Sequence, residues 1–341
     1  MTDSTPNPGP SPATRERGDQ SGYRGELPSP VYGGGAGGGG VFLGIDGGAT
    51  KTLAVIVDVG GQEIGRGMAG SGNQAAVGPE RAVASIWRAV AEAARHAGSN
   101  EAFLAAWIGL AGVDRPGDRD RLLPHFGALA MVVRLTNDAE LALTGLDDAV
   151  GVAVIAGTGS IALGRDAAGT TARSGGWGHI IGDEGSGYEL GGLALKAAAR
   201  ASDGRGPQTA LLPAILAKWR LSRPDAMIDR IYPDGDKGEI ARLSTLVFAV
   251  ARDGDAVARR IVHEAATELA RATLAVGAML DFSDGSLPVA LAGGMLIHET
   301  DFRAMLLRRL RRRRPVGQVA LVTDPALSAA RAAIHLARER P

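Results

Sequence analysis

The sequence contains no cysteine, which excludes disulfide bonds, thiolate zinc sites, cysteine-bound iron–sulfur clusters and a cysteine nucleophile. It also lacks an apolar run of about 18 residues and an N-terminal signal pattern. We therefore expect a cytoplasmic protein. The 37 basic and 37 acidic residues give a formal net charge of zero, so no overall field favours nucleic acid or an anionic membrane. Lysine is scarce, with 4 lysines against 33 arginines, and we interpret this as a bias of composition.

The length of 341 residues suits two domains. Residues 1–40 hold 11 of the 50 glycines and 6 of the 17 prolines, with almost no apolar periodicity. This composition is typical of a disordered tail. We expect the ordered chain to begin at Val41.

The ordered part contains one pattern of elements twice. Three strands with short glycine-rich turns start at Val41 and are followed by helix, strand, helix and strand. The same order starts again at Gly151, with a helical insertion at about residues 208–285. An internal duplication of this kind predicts two similar α/β lobes with a cleft between them. We assign residues 41–140 to the first lobe and 141–341 to the second.

Each half begins with a strand, a turn rich in glycine and hydroxyl residues, and a returning strand. Glycine lets the backbone approach a ligand, and threonine and serine add hydroxyl donors, so such turns can cradle phosphate groups. Either turn alone would also suit a plain hairpin, but their repetition at equivalent places favours a polyphosphate site. The candidate residues are Gly47, Gly48, Thr50 and Lys51 in the first turn and Gly157, Thr158, Gly159 and Ser160 in the second.

Two other phosphate motifs are disfavoured. The sequence lacks G-x-x-x-x-G-K-[ST], which excludes a P-loop NTPase. Residues 157–162 match G-x-G-x-x-A, the dinucleotide fingerprint, but that motif must open a helix. Because a strand follows here, a nicotinamide site is a weak alternative.

Three acidic residues stand beside the glycine turns. Asp46 ends the first strand and is a candidate ligand of Mg²⁺, which prefers carboxylate and water oxygens. Asp138 follows the last strand of the first lobe, at the carboxyl edge where open α/β sheets bind ligands. Asp183 precedes a predicted helix. Each of them alone would also suit a helix cap or a turn.

Two further segments are candidates for ligand binding. Residues 175–187 combine six glycines with Trp177, which suits a shaped loop that offers an aromatic face to a sugar ring. Gly293 and Gly294 follow a buried strand, where a flat ring such as adenine could lie against the backbone. A simple strand-to-helix turn is the alternative for this pair.

These motifs together resemble the N-acetylglucosamine kinase branch of the BadF/BadG/BcrA/BcrD ATPase family, within the actin, sugar kinase and Hsp70 superfamily. The likeness spans about residues 41–338. It rests on Asp46-Gly47-Gly48-Ala49-Thr50-Lys51, Thr136-Asn137-Asp138-Ala139, Gly157-Thr158-Gly159-Ser160, Gly176-Trp177-Gly178-His179, Gly182-Asp183-Glu184-Gly185 and Gly293-Gly294.

The resemblance implies two ribonuclease-H-like lobes, the actin-like ATPase fold, with ATP and Mg²⁺ in the cleft. It implies transfer of a phosphoryl group to the 6-hydroxyl of an amino sugar, with Asp138 as the base and Thr50 and Thr158 as phosphate contacts. The residues similar to the family's sugar-binding set are Asn73, Asp138, Ser160, Gly176, Trp177, Gly178 and Asp183.

One position departs from the family pattern. Ile161 replaces an asparagine that contacts sugar in the animal enzymes, so glucosamine is an alternative to N-acetylglucosamine as substrate. An ATP-binding switch that responds to sugar without phosphorylating it is the second functional hypothesis. The absence of cysteine excludes the iron–sulfur role of other branches. The helical insertion and the helix at 301–314 offer surface for a homodimer.

Overall fold

The computed structural model describes residues 40–98, 102–113, 115–232, 236–282 and 285–338. The predicted disordered tail, apart from Gly40, lies outside the described residues. Within these ranges, none of the helices combines the length and the apolar character that a membrane crossing requires.

The strands form two five-stranded sheets with the same internal order. In the first sheet the order is β3-β2-β1-β4-β5, and in the second it is β8-β7-β6-β9-β10. In each sheet the first strand of the half runs antiparallel to the second and parallel to the fourth. The predicted duplication and the α/β fold class are thereby confirmed. The strands are β1 (Val41–Gly47), β2 (Thr52–Val57), β3 (Glu63–Ala69), β4 (Phe103–Leu110), β5 (Ala130–Asn137), β6 (Gly151–Ala156), β7 (Ser160–Arg165), β8 (Thr171–Gly175), β9 (Leu287–Ala292) and β10 (Val316–Val322).

Helices cover the outer faces of both sheets and also fill the space between them. They are α1 (Gln74–Val77), α2 (Pro79–Ala97), α3 (Pro116–Leu122), α4 (Gly187–Ser202), α5 (Leu211–Trp219), α6 (Ala226–Ile231), α7 (Lys237–Ala241), α8 (Ser244–Arg252), α9 (Ala256–Met279), α10 (Gly294–His298), α11 (Thr300–Arg311) and α12 (Pro325–Arg338). Short 3₁₀ segments span Leu123–Phe126, Asp138–Gly145 and Asp147–Ala149.

The outer face of each sheet is covered by one long amphipathic helix. On the first sheet this is α2, which buries Ile86, Ala89 and Ala93 every three or four residues against β2 and β3. On the second sheet it is α9, which packs on β6, β7 and β8. Because α9 belongs to the predicted helical insertion, that region supplies part of the core of the second lobe.

Two segments cross between the lobes and pack against each other. Residues 138–149, here called the crossing segment, leave β5 and pack on strands of the second sheet, while α12 leaves β10 and packs on β1, β2 and β4. Gly44 allows this close approach, since a Cβ there would stand 2.0 Å from the carbonyl oxygen of Ala326. The predicted division placed all of 141–341 in the second lobe, whereas the final helix completes the core of the first.

Ion pairs tie both crossings to the sheets. Glu140 in the crossing segment pairs with Arg119 of α3 and with Arg165 of β7, the latter at 2.6 Å. Asp324, which caps α12 by accepting a hydrogen bond from the backbone N–H of Leu327, also pairs with Arg66 of β3 at 2.6 Å. The crossing segment and the start of α12 therefore each contain one carboxylate that pairs with arginine from another helix or strand.

Candidate active site

The first glycine turn is a closed hairpin braced from behind. The backbone N–H of Gly48 donates to the carbonyl of Lys51 at 2.9 Å, which closes the turn. The Thr52 hydroxyl donates to Gly70 at 2.8 Å, and the Gly72 N–H donates to Gly48 at 3.1 Å. Residues 70–72 thus support the turn, and the exposed Thr50 and Lys51 side chains are left at its tip.

The second glycine turn is held by the start of α4. The Gly157 N–H donates to the carbonyl of Gly159 at 2.9 Å. In turn the N–H groups of Gly187 and Tyr188 donate to the carbonyls of Gly157 and Thr158 at 2.8 and 3.2 Å. Because its carbonyls accept bonds from the helix behind, the conformation of this loop is fixed by the 183–188 segment.

A cavity of about 400 Å³ opens beside the second turn. Gly157 and Thr158 line it together with Gly294 and Met295. Gly293 has φ +85°, and a Cβ there would stand 2.4 Å from the Ala156 carbonyl oxygen, so only glycine fits this position. The structure therefore brings two of the predicted phosphate-loop residues to the same cavity as the predicted adenine turn. Helices α7 and α8 and the turn between them also line it, through Gly238, Ala241, Arg242, Ser244, Thr245 and Phe248.

Two carboxylates that follow edge strands, Asp138 after β5 and Asp324 after β10, act electrostatically on Asp46 in β1. The pKa of Asp46 is raised to about 6, chiefly by burial and further by the negative charges of Asp138 and Asp324, while Lys51 opposes the shift. The Asp138 carboxylate also accepts a hydrogen bond of 2.9 Å from the N–H of Ala139. The structure thus brings together the predicted metal ligand and the predicted base.

Asp324 was missed by the sequence analysis, although the duplication contains the signal for it. Asp138 directly follows β5, and Asp324 follows β10, which occupies the equivalent edge position in the second sheet. Comparison of the two halves strand by strand would have identified this second carboxylate.

The loop around Trp177 lies on the surface beside the second turn. The indole of Trp177 is 63% exposed, and the Arg173 guanidinium lies 5.0 Å from its ring centre. A Cβ at Gly176 would stand 2.7 Å from Cδ1 of Ile161, so the isoleucine packs directly against the loop. The neighbouring Gly178 has φ +83°, a backbone conformation that favours glycine.

Asp183 and Ser160 hold this loop against the second turn. A Cβ at Gly159 would lie 2.8 Å from Oδ2 of Asp183, which places the carboxylate in contact with the turn. The Ser160 hydroxyl donates to the carbonyl of Glu184 at 2.7 Å. Both predicted residues therefore lie beside the phosphate loop, and the Ser160 hydroxyl proton has a partner within the protein.

A smaller cavity of about 210 Å³ lies between the lobes. Its first-lobe wall includes Asn137, which precedes Asp138, and Glu140; its second-lobe wall includes Ile161 and Arg173. Because Arg173 also contacts the Trp177 ring, this cavity extends from Asn137, the neighbour of the base candidate, toward the tryptophan loop.

Asn73 caps α1 at the edge of the first lobe. Its Oδ1 accepts hydrogen bonds from the N–H groups of Ala75 and Ala76 at 2.9 and 3.3 Å. A Cβ at Gly112 would stand 2.6 Å from this oxygen, so Asn73 lies beside the turn that follows β4. The adjacent Val113 lines the smaller cavity. The amide nitrogen of Asn73 is the group that could donate to a ligand.

Comparison with known proteins places these features in a family. Residues 43–327 match the BadF/BadG/BcrA/BcrD ATPase family. The chain is 37% identical over 260 residues to the N-acetylmuramic acid/N-acetylglucosamine kinase of Clostridium acetobutylicum, covering 74% of this chain and 85% of that protein. It is 32% identical over 314 residues to the N-acetyl-D-glucosamine kinase of Dictyostelium discoideum, covering 86% and 98%.

A solved structure agrees with these relatives. The structure of a candidate N-acetylglucosamine kinase from Chromobacterium violaceum is 27% identical, with a TM-score of 0.64, over 86% of this chain and 98% of that one. The fold and site thus define a nucleotide-using enzyme of the two-lobed kinase class. The chain belongs to the BadF/BadG/BcrA/BcrD ATPase family. The predicted family is confirmed, and with it the enzyme class, an ATP-dependent sugar kinase.

Proposed function

We propose that this protein transfers the γ-phosphate of ATP to the 6-hydroxyl of an N-acetylated amino sugar, with Asp138 as the general base. The observation that carries the proposal is the approach of Asp138 to Asp46, because it sets a base candidate beside a carboxylate suited to bind the metal of a nucleotide. Both relatives named above act on N-acetylated amino sugars.

The nucleotide is assigned to the larger cavity and the two glycine turns. A cavity of about 400 Å³ is roomy enough for a base and ribose, and Gly157 and Thr158 at its edge would meet the phosphates. The first turn would approach the phosphates from the other lobe through Gly47, Gly48, Thr50 and Lys51. The rest of the proposed nucleotide set is Gly159, Gly293 and Gly294.

The carboxylates at this site fit Mg²⁺. Burial raises the pKa of Asp46 most, and the charges of Asp138 and Asp324 add to it; a divalent cation bound there would relieve that repulsion. Among the described residues, no cluster of three or more His, Cys, Asp or Glu could enclose a metal. This agrees with Mg²⁺, which commonly binds one or two carboxylates and completes its coordination with water and substrate phosphates. When bound, the ion neutralises charge that develops on the phosphates; Asp46 would hold it.

The sugar is assigned to the smaller cavity and the tryptophan loop. Trp177 would offer its ring face, and Gly176 and Gly178 would let the backbone approach the sugar closely. Asn73, Ser160 and Asp183 would contact hydroxyl groups, Asn73 through its amide nitrogen and Ser160 through its oxygen lone pairs. A sugar in the smaller cavity would have its reacting hydroxyl near Asp138, the residue after the cavity-lining Asn137.

The charges of this cavity favour an uncharged amide over a free ammonium group. Arg119, Arg165 and Arg173 lie in or beside it, while Glu140 is one carboxylate shared by Arg119 and Arg165. The Arg173 guanidinium in the wall of this cavity would repel the ammonium group of a protonated glucosamine. The apolar Ile161 side chain suits the methyl group of an N-acetyl substituent.

Asp138 would act by accepting the proton of the attacking hydroxyl as its oxygen bonds to the γ-phosphorus and the bond to the leaving ADP oxygen breaks. General-base help contributes typically ~10²- to 10⁴-fold, and positioning of the reactants supplies much of the rest. Closure of the lobes would exclude water and limit ATP hydrolysis.

A sugar-responsive ATP switch is the second candidate, since lobe closure alone could signal to a partner. The deciding experiment measures ADP release and sugar phosphate by mass spectrometry, with and without N-acetylglucosamine or glucosamine. Our proposal requires ADP and sugar 6-phosphate in equal amounts, with N-acetylglucosamine the better acceptor. ADP release with no phosphorylated sugar would identify the switch.

A further inference from the structure

One lysine lies beside the second glycine turn and has no part in the function proposed above. The ammonium nitrogen of Lys237, the first residue of α7, is 3.6 Å from Oδ2 of Asp183. That carboxylate in turn touches Gly159. The Asp183 side chain is only 7% exposed, whereas the Lys237 side chain is 38% exposed. The lysine therefore reaches the turn from solvent, with Asp183 between them.

The position of Lys237 also borders the nucleotide cavity. Gly238, the next residue along the chain, lines that cavity together with Gly157 and Thr158. A small rotation of the flexible lysine side chain would take its charge from Asp183 toward the loop that we assign to the phosphates. The lysine is therefore within side-chain reach of both the Asp183 carboxylate and the second glycine turn.

The presence of lysine rather than arginine at position 237 is unusual in this chain. Arginine outnumbers lysine 33 to 4, yet one lysine, Lys51, lies in the first glycine turn and another lies at the second. Lysine is a compact, mobile point charge that suits phosphate groups, while arginine suits fixed planar pairing. Two of the four lysines therefore stand where polyphosphate charge is expected.

We propose that Lys237 binds the terminal phosphates of the nucleotide and rests on Asp183 when no nucleotide is bound. This inference rests on the proposed function, because it takes the second turn as the phosphate loop. An ion pair at 3.6 Å whose lysine is 38% exposed is weak, so a polyphosphate of higher charge could replace it. When the lysine moves to the nucleotide, the Asp183 carboxylate would become available to a sugar hydroxyl. Binding of the nucleotide would thereby favour binding of the sugar.

The first test uses the unaltered protein. Its four lysines can be acetylated with a lysine-selective reagent and quantified by mass spectrometry, alone and with AMP, ADP or ATP. We expect ATP to slow the labelling of Lys237 strongly, ADP less and AMP hardly at all. The exposed Lys196 and Lys218 on α4 and α5 are internal controls. Equal protection by AMP and ATP, or no protection at all, would overturn the proposal.

The second test compares the Lys237→Gln variant with the Lys237→Arg variant and with the control Lys218→Gln. Loss of a charge-assisted contact predicts ATP binding weakened about 10- to 100-fold in Lys237→Gln, with AMP affinity unchanged, when measured by calorimetry. Lys237→Arg should retain most of the ATP affinity, and it replaces the glutamine variant if that one does not fold.

These outcomes separate the two proposals. If the wild-type protein binds ATP but phosphorylates no sugar, the proposed function fails while the affinity series still reports on Lys237. If sugar phosphorylation is normal but Lys237→Gln binds ATP as tightly as wild type, the role of Lys237 alone is rejected. A uniform loss of affinity for all three nucleotides would indicate a merely structural role.

Discussion

Glu140 in the crossing segment accepts a hydrogen bond of 2.6 Å from Arg165 in β7 of the second sheet. The same carboxylate contacts Arg119 of the first lobe. The side chains of Glu140 and Arg165 are only 12% and 14% exposed. One carboxylate thus binds cations from both lobes next to the proposed sugar cavity.

This arrangement predicts a loss of stability in Glu140→Gln. Removing the charge leaves two guanidinium groups without their anionic partner, and charge-assisted bonds of this kind contribute about 1–3 kcal/mol. We expect the free energy of unfolding, measured by urea denaturation, to fall by that amount. The control is Glu264→Gln on α9, whose 3.8 Å pair with Arg260 is exposed; its change should stay within about 0.5 kcal/mol. Equal effects of the two substitutions would contradict the prediction.

A second prediction concerns Asp46, whose pKa is raised from 3.8 to about 6. Between these values the unfolded chain loses the proton while the folded protein keeps it, so folding stability falls as pH rises and the cost is complete above about pH 6. Asp46→Asn removes this cost. We expect the variant to gain at most ~3 kcal/mol in unfolding free energy at pH 8 and nothing at pH 4.

Thermal and urea unfolding at the two pH values check this prediction, and Asp253→Asn at the exposed end of α8 is the control. Turnover of Asp46→Asn should be lost at the pH where its stability gain is largest. A variant that is equally stabilised at both pH values, or that is less stable than wild type at pH 8, would show that burial and the neighbouring carboxylates do not raise the pKa of Asp46.

A third prediction separates chemistry from binding at Asp138. The Asp138→Asn variant keeps the size of the side chain but removes the proton acceptor, so sugar phosphorylation should fall about 10²- to 10⁴-fold. Nucleotide affinity, measured by calorimetry, should change little, because the larger cavity is lined by other residues. Turnover near that of wild type would reject Asp138 as the base.

A fourth prediction tests the charge of the sugar cavity through Arg173. Reversal of this charge in Arg173→Glu should raise kcat/KM for glucosamine relative to N-acetylglucosamine by about tenfold, since a charge near the ammonium is worth about 1–2 kcal/mol at a partly exposed site. The ratio of the two kcat/KM values at pH 6.5 is the measurement. Arg205→Glu, on the exposed turn after α4, serves as the control. An unchanged ratio in Arg173→Glu would place the amino group elsewhere.

Much of the fold follows from local patterns. The apolar runs bounded by glycine turns locate the strands of both sheets, and the repeated order of elements predicts their matching topology. The sequence does not predict which sheet α12 packs on, because an amphipathic helix has the same pattern whichever sheet it covers. Its contact with Gly44 depends on a backbone approach that only the assembled structure reveals.

Part of the candidate site is likewise predictable from the sequence, and part is not. Asp46 and Asp138 are predictable because they end parallel strands at one sheet edge. The pairing of Lys237 with Asp183 is not, since the two residues are distant in sequence and no periodic pattern relates them. The effect of Arg173 on the sugar cavity likewise depends on the lobe arrangement, which sets it opposite Asn137.

The return of α12 to the first sheet has a consequence for biosynthesis. Residues 41–137 leave the ribosome early, but the inner face of their sheet is covered by Ala326, Ala330 and Ala333. The helix carrying these alanines is made only after all strands of the second sheet. The apolar inner face of the sheet that is made first therefore stays uncovered until α12 has been synthesised.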